Sequence, residues 1–180
     1  LRTVSHGMTW NWQEGKSGSN RSFDKERIQS IAEKAEKDEM LITDVQRSVK
    51  KSYSPGLYDL TELQRDANKR FGYSAKETLN IMQRLYENHK VLTYPRTDSR
   101  YIGRDVAETL KERLEACAVG PYRKLAGKLL LQPIRTNKSF VDDSKVSDHH
   151  AIIPTEQFVQ LDHMSSEERK IYDLVVRRFL

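Results

Sequence analysis

Val91-Leu-Thr-Tyr-Pro-Arg-Thr-Asp-Ser-Arg-Tyr-Ile102 is the stretch on which the reading of this chain turns. Three apolar or β-branched residues lead into Tyr94, Pro95 stops the run, and hydroxyl, guanidinium and carboxylate side chains follow at once. The pattern predicts a strand that delivers its last side chain to a polar site. Tyr94 is the candidate nucleophile, because a phenolate can attack phosphorus and form a phosphotyrosine ester. A phenol, with an ordinary pKa of about 10, needs a neighbouring cation or base to become reactive. Arg96, two residues on, has the planar fork that grips a phosphate bidentately and stabilises charge developing on its oxygens. Taken alone, a tyrosine ahead of a proline at a strand end is ordinary packing or turn chemistry, so the surrounding chain must decide.

Immediately upstream, the pattern is helical. Asp59 caps a helix, Glu62 three residues later completes a capping box, and Leu60, Leu63, Ala67 and Phe71 form the buried stripe. Gly72 breaks that helix. Ser74 and Glu77 form a second capping box, opening a helix whose apolar face is Leu79, Met82, Leu85 and Tyr86. Two short capped helices around a tight turn, followed by the strand at Val91, predict a helix-turn-helix with a wing. That pattern also serves protein–protein modules and plain cores, so it does not by itself establish DNA binding.

Further upstream, Ser54-Pro-Gly marks a boundary. Before it, Met8, Trp10 and Trp12 alternate, as do Val45, Arg47 and Val49, which predicts strands with one face to a core. Core packing is the reading for the two tryptophans, ahead of base stacking. Residues 15–20, Gly-Lys-Ser-Gly-Ser-Asn, are a turn and lack the Walker spacing of a phosphate loop. Ile28, Ile31, Ala32 and Ala35 recur at helical spacing between Asp24 and Asp38. The charge run at residues 33–39 is a solvated helix face.

Downstream, residues 103–118 predict one helix with Val106, Leu110 and Leu114 on one face, ended by Gly120-Pro121. A short helix follows over residues 125–131, then a polar loop over 137–147 with a strand at Phe140-Val141. That loop delivers Asp148-His-His-Ala-Ile-Ile-Pro-Thr155. No cysteine or third histidine stands at ligand spacing from His149 and His150, so no metal is assigned to them. An imidazole can instead donate a hydrogen bond to a backbone phosphate. Ser165 and Glu168 then cap a last helix carrying Ile171, Leu174, Val175 and Phe179.

Composition bounds the rest. The 180 residues, 37% hydrophobic, suffice for one or two modest domains of α+β class. Charged residues make up 32%, mean hydropathy is −0.76, and no apolar run approaches the roughly 20 residues of a membrane helix. Nothing at the N-terminus reads as a targeting peptide. A single cysteine, Cys117, excludes an internal disulfide framework; it reads as a small core residue of its helix. A net charge of +5 with pI near 9.2 suits a polyanionic partner without specifying one. The absence of an initiator methionine at Leu1 and the apolar face still open at Leu180 predict a piece of a larger protein.

Leu92-Thr-Tyr-Pro-Arg-Thr-Asp-Ser-Arg-Tyr101 resembles the active-site motif of type IA DNA topoisomerases, and its form is most similar to the bacterial topoisomerase III branch. The 148–155 block resembles the second signature of that family, in the right order and at a suitable distance. The resemblance implies that Tyr94 is the nucleophile, Arg96 the phosphate-binding arginine and His149 the histidine beside the tyrosine. It further implies DNA contact along Arg96, Thr97, Asp98, Ser99, Arg100, His149 and His150. Residues 1–53 resemble a segment of the family's β-rich hinge domain, 54–164 its winged-helix domain bearing the tyrosine, and 165–180 a helix returning towards the rest of the parent enzyme. Ser54-Pro-Gly-Leu57 departs from relatives that carry a second proline there, which puts the stiffness of that junction in question.

The mechanism the resemblance implies is ATP-independent transesterification on single-stranded or underwound DNA through a 5′-phosphotyrosyl link. The family's Toprim domain, with its acidic cluster for Mg²⁺ and its general acid and base, is absent from this sequence. The piece is therefore expected to bind DNA weakly and not to cleave it alone. It is expected to hold no cofactor of its own, Mg²⁺ acting in the parent enzyme. The remainder of the parent and a helicase are the expected partners, with no membrane, in a bacterial cytoplasm in association with the nucleoid. Two rivals remain: a non-catalytic winged-helix module in which Tyr94 is a packed wing residue, and a tyrosine recombinase, whose usual cluster of arginines and histidines around a C-terminal tyrosine is not seen here.

Overall fold

The computed structural model describes residues 1–39 and 41–180 and divides into two units, Leu1–Lys51 and Ser52–Leu180, each described by itself. In the first unit, strands β1 (Arg2–Ser5) and β2 (Met8–Asn11) pair antiparallel, from Arg2 opposite Asn11 to Ser5 opposite Met8. Their two-residue connection, His6-Gly7, has φ of 52° and 74°, and positive φ at both positions matches the twist of a tight hairpin. Helix α1 (Lys25–Lys37) starts where the Asp24 carboxylate accepts a hydrogen bond from the Arg27 N–H at 3.0 Å. No residue of α1 is fully buried.

The strand expected around Val45, Arg47 and Val49 does not form. Val45 and Val49 are 68% and 93% exposed, and among the described residues no neighbouring strand accepts their backbone groups. Alternation marks a face only when a partner strand and a core lie against it. The β-rich expectation for residues 1–53 thus reduces to one hairpin, and the α+β balance shifts towards helix.

The second unit is built on helices α2 (Leu60–Phe71), α3 (Ala75–Glu87) and α7 (Ser166–Phe179). Leu63, Ala67, Met82, Leu85, Ile171, Tyr172 and Val175 meet in one core cluster. Fully burying one such large side chain stabilises by about 1.5–3 kcal/mol, and Leu85→Ala would remove several times that of a surface change, about 2–5 kcal/mol. The last helix is the most thoroughly buried of the three: Ile171, Tyr172, Leu174, Val175 and Val176 all face inward.

The caps show where sequence logic is local. Both the Ser74–Glu77 and Ser165–Glu168 boxes close in both directions. Asp59 caps α2, but Glu62 does not reach back; its carboxylate pairs with Arg65 at 2.6 Å and Arg100 at 3.1 Å instead. Gly72 ends α2 at φ 74°, in the left-handed region glycine favours. On α3 the buried face is Thr78, Ile81, Met82 and Leu85, so Ile81 takes the place foreseen for Leu79, and Tyr86 is turned outward at 38% exposure. One helix expected over 103–118 is two, α4 (Arg104–Glu108) and α5 (Leu110–Cys117), because the backbone leaves helical geometry at Thr109, whose hydroxyl bonds the Val106 carbonyl at 2.8 Å. Helix α6 (Arg123–Leu130) follows.

The strand expected at Val91 is also smaller than foreseen. Leu92 bridges Pro154 and Tyr58 bridges Ile152, each as an isolated antiparallel pair, and Ile102 bridges Val141 in parallel. Pro154 has no N–H to give a ladder and Pro95 ends the run, so neither segment extends into a sheet. Behind this crossing, Leu57, Ile102, Leu110, Ala151 and Ile153 form a second, small core.

Candidate active site around Tyr94

The two signature stretches, some fifty residues apart, lie side by side. Thr93 N–H donates to the Ile153 carbonyl at 3.0 Å, and Thr155 N–H to the Val91 carbonyl at 3.0 Å. The Thr93 hydroxyl donates to the Ala151 carbonyl at 3.1 Å and accepts from Ile153 N–H at 3.0 Å. Ile152 N–H donates to Tyr58, and Ala151 N–H to Tyr101, so residues 149–155 run between the tyrosine segment and the entry to α2.

Beyond Tyr94 the chain alternates. Pro95, Thr97 and Ser99 are buried, whereas Arg96 and Asp98 are exposed. The inward residues hold the loop: Thr97 Oγ1 donates to the His149 carbonyl at 3.0 Å, Ser99 Oγ donates to the Lys145 carbonyl at 2.8 Å, and the Thr97 carbonyl accepts from Leu60 N–H at the start of α2. Arg100 turns back, its Nε donating to Asp59 Oδ2 at 2.8 Å, and this hydrogen bond raises the guanidinium pKa further. Asp59 therefore both caps α2 and anchors the end of the loop.

Tyr94 is half-buried. Its ring lies 4.2 Å from that of His149, centre to centre and tilted by 40°, and Tyr86 presents its edge from the other side at 5.5 Å. His149 is exposed. His150 is half-buried and donates from Nδ1 to the Ala151 carbonyl at 2.8 Å; burial pushes its imidazole pKa down, favouring the neutral ring. An open hollow of about 610 Å³ beside the tyrosine is lined by Tyr86, Lys90, Thr93, Tyr94, His150 and Thr155, among others.

The structure thus brings Tyr94 and His149 into contact and joins Thr97 to the latter's main chain. Arg96 and Asp98 leave the same loop towards solvent, without a hydrogen bond or ion pair among the described residues. Thr97 and Ser99 commit their hydroxyls to the protein, and Arg100 is committed to acids.

Two side chains at the site escaped the sequence reading. Tyr86 was assigned to a buried face. Arg113, on what read as the charged face of its helix, is 7% exposed; it donates from Nη1 to the Pro154 carbonyl at 2.8 Å, from Nε to Thr109 Oγ1 at 2.8 Å, and pairs with Glu156 at 2.6 Å. No local signal marks its burial, because two of its three partners, Pro154 and Glu156, lie about forty residues away. Among the described residues no group of three or more His, Cys, Asp or Glu is placed to hold a metal ion.

The loop thus sets a half-buried tyrosine against the tilted ring of a histidine from the second signature, with an outward arginine two residues on. A family model described as DNA topoisomerase matches residues 3–180, and the chain belongs to that family, in its type IA branch. It is 65% identical over 169 residues to DNA topoisomerase 3 of Bacillus cereus strain ATCC 14579, covering 94% of this chain and 23% of that protein. It is 52% identical over all 180 residues to DNA topoisomerase 3 of Bacillus licheniformis, covering 25% of it. Among solved structures, full-length topoisomerase I from Thermotoga maritima is similar with TM-score 0.56 and 26% identity over 87% of this chain and 24% of that one. The chain spans about a quarter of the length of the relatives it matches.

Proposed function

We propose that this chain is the tyrosine-bearing part of a type IA topoisomerase III that changes DNA topology by cutting, passing and resealing single strands without ATP. The observation that carries the reading is the contact of Tyr94 with His149 at the crossing of the two signature segments. Tyr94 Oη attacks the phosphorus of a backbone phosphodiester; the new P–O bond to tyrosine forms as the P–O3′ bond breaks. The phenolic proton leaves to a base, and the 3′-oxygen gains a proton, giving a 5′-phosphotyrosyl ester and a free 3′-hydroxyl. No oxidation occurs and the ester conserves the bond energy, so resealing is the same exchange run backwards. Arg96 holds the phosphate and stabilises its oxygens; His149 donates to a phosphate oxygen and its face supports the tyrosine ring. Asp98 and His150 border the strand. The α2–turn–α3 pair with the extended 91–93 segment serves as a winged-helix body that swings with the tyrosine. The acid–base partners and Mg²⁺ belong to the remainder of the parent enzyme. The setting is bacterial nucleoid DNA, with a helicase supplying single strands.

The rival, a non-catalytic winged-helix module, calls for an exposed and basic second helix. The outward residues of α3 include Lys76, Asn80, Gln83 and Glu87, and Arg84 is tied to Glu168 at 2.8 Å, which favours the catalytic reading. The test mixes the chain with the separately expressed remainder of its parent, Mg²⁺ and single-stranded DNA, followed by a detergent quench. A covalent adduct on Tyr94, absent in Tyr94→Phe and absent from the chain alone, is expected. No adduct from pieces shown to reassemble refutes the proposal.

A further inference from the structure

The whole net charge of the protein resides in one stretch. From Ala116 to Val141 there is no acidic residue, and there are five cations: Arg123, Lys124, Lys128, Arg135 and Lys138. Of the 31 lysines and arginines in the chain, the 26 outside this stretch are matched by 26 acids. The five cations lie on α6 and the segment after it. All five cations are exposed, and none forms an ion pair among the described residues. Elsewhere in the same unit, Arg65, Arg84, Arg104, Arg113, Arg169 and Arg178 lie against carboxylates, and exposed cations without an ion pair, such as Lys69, Arg70, Lys76, Lys90 and Arg96, have acidic residues close by in the chain.

A solvated helix face carries both signs, as residues 33–39 do with three glutamates, two lysines and an aspartate. A one-signed, unpaired surface instead raises the local potential and repels itself, a cost that disappears only when an anion covers it. The surface is anchored from beneath: Ala126 and Tyr122 are buried, and the Tyr122 hydroxyl donates to Asp173 on α7 at 3.1 Å. Lys124 and Lys128 stand one turn apart on α6. None of the five lines the hollow beside Tyr94.

We propose that the surface of α6 and residues 131–138 is a second DNA-contact site, distinct from the tyrosine site, that binds the phosphodiester backbone without reading bases. It has five point charges and no aromatic side chain among residues 123–139, which is the make-up of backbone contact and not of base stacking. The proposal rests on reading the chain as part of a DNA-processing enzyme, but its test does not use cleavage. Binding of a fluorescein-labelled single strand and of its duplex to the 180-residue chain is followed by anisotropy across a salt series. If all five cations contact phosphates, they account for about 3.5 of the slope of log affinity against log salt on a single strand, a loss of about 100-fold between about 50 and 200 mM salt.

The variant with Arg123, Lys124, Lys128, Arg135 and Lys138 each changed to Gln is expected to lose most of that slope and to bind at least about tenfold more weakly at low salt. A charge-matched control changes Lys25, Lys34, Lys37, Arg47 and Lys50 to Gln, all exposed and in the first unit, and is expected to bind as the parent chain does. Equal losses in the two fivefold variants, or no binding by the parent chain at low salt, overturn the inference. Loss of the Tyr94 adduct in the reassembled enzyme with intact salt-dependent binding overturns the catalytic reading and leaves this one standing.

Discussion

Arg113→Met tests whether the buried arginine holds the second signature against the tyrosine. Methionine keeps the unbranched apolar stem and much of the volume of the side chain, ends about two atoms short of the guanidinium nitrogens and removes the donors, so the change is chiefly polar. The Pro154 carbonyl, in a buried residue, loses its Nη1–H partner at 2.8 Å, at a cost of about 1–3 kcal/mol for an acceptor left unpaired. Thr109 Oγ1 keeps its bond to the Val106 carbonyl, and the Glu156 side chain, 44% exposed, returns to water, so neither adds much. Relief from burying a guanidinium, whose pKa burial pushes down, offsets part of the loss. The net expectation is a loss in the lower part of that range, about 1–2 kcal/mol, read from urea unfolding followed by helical circular dichroism. With slopes of about 1–3 kcal/mol per molar, the midpoint moves by roughly 1 M. The more telling readout is local. The His149 ring protons lie in the ring current of Tyr94, 4.2 Å away, and their NMR shifts are expected to move towards free-histidine values in Arg113→Met and partway back in Arg113→Lys. A midpoint unchanged within about 0.2 M refutes the energetic argument. A destabilised chain whose His149 shifts do not move refutes the positioning role.

Two further outcomes follow from titratable groups. Burial alone would raise the Glu168 pKa, yet the Ser165 N–H, Arg84 and His89 together hold it below the usual carboxylate range. A depressed folded value means that this stabilisation is present above the unfolded pKa of about 4.3 and is lost as pH falls through the folded value. Between about pH 5 and 3 the parent chain should therefore lose more urea stability than Glu168→Gln; parallel pH profiles contradict this. Burial pushes the Cys117 thiol up to about 11, so a thiol reagent at mildly alkaline pH should label the native chain slowly and the urea-unfolded chain at once. Equal labelling rates contradict this.

The helices of the second unit were legible because their signals are local. A serine with a glutamate three residues on, an apolar residue every third or fourth place and a glycine at the end are written within one element, and α2, α3 and α7 formed on them. The expectations that missed depend on partners. Residues 45–49 alternate as a strand should, but no strand lies beside them. The Val91 strand is cut to single bridges because its neighbour is the proline-bearing 149–155 segment. Leu79 and Ile81 fit an apolar stripe equally well; packing against α7 and α2 chose Ile81 and left Tyr86 facing Tyr94.

The chemistry at the candidate site was legible in the same limited way. Side-chain types near Tyr94 and His149 point to phosphorus chemistry, and the resemblance on two separated motifs points to one family. Which of those polar residues face outward is a different matter. From sequence, Arg96 stands apart as the phosphate-binding arginine, and Thr97, Asp98, Ser99 and Arg100 are not distinguished from one another as DNA contacts. In the folded chain Arg96 and Asp98 are outward, Thr97 and Ser99 bond main-chain carbonyls, and Arg100 pairs with Asp59 and Glu62.

The sequence by itself determined the capped helices, the tight turns, the family and the chemical character of the two motifs, because each depends on residues within a few positions of one another or on the motif as a string. Only the tertiary structure decided that residues 149–155 lie between Tyr58 and Thr93, that Arg113 ties them down, and that the histidine ring meets the tyrosine. Those contacts close loops of some forty to ninety residues. Their formation depends on the whole core holding both ends in place, and no local pattern encodes that.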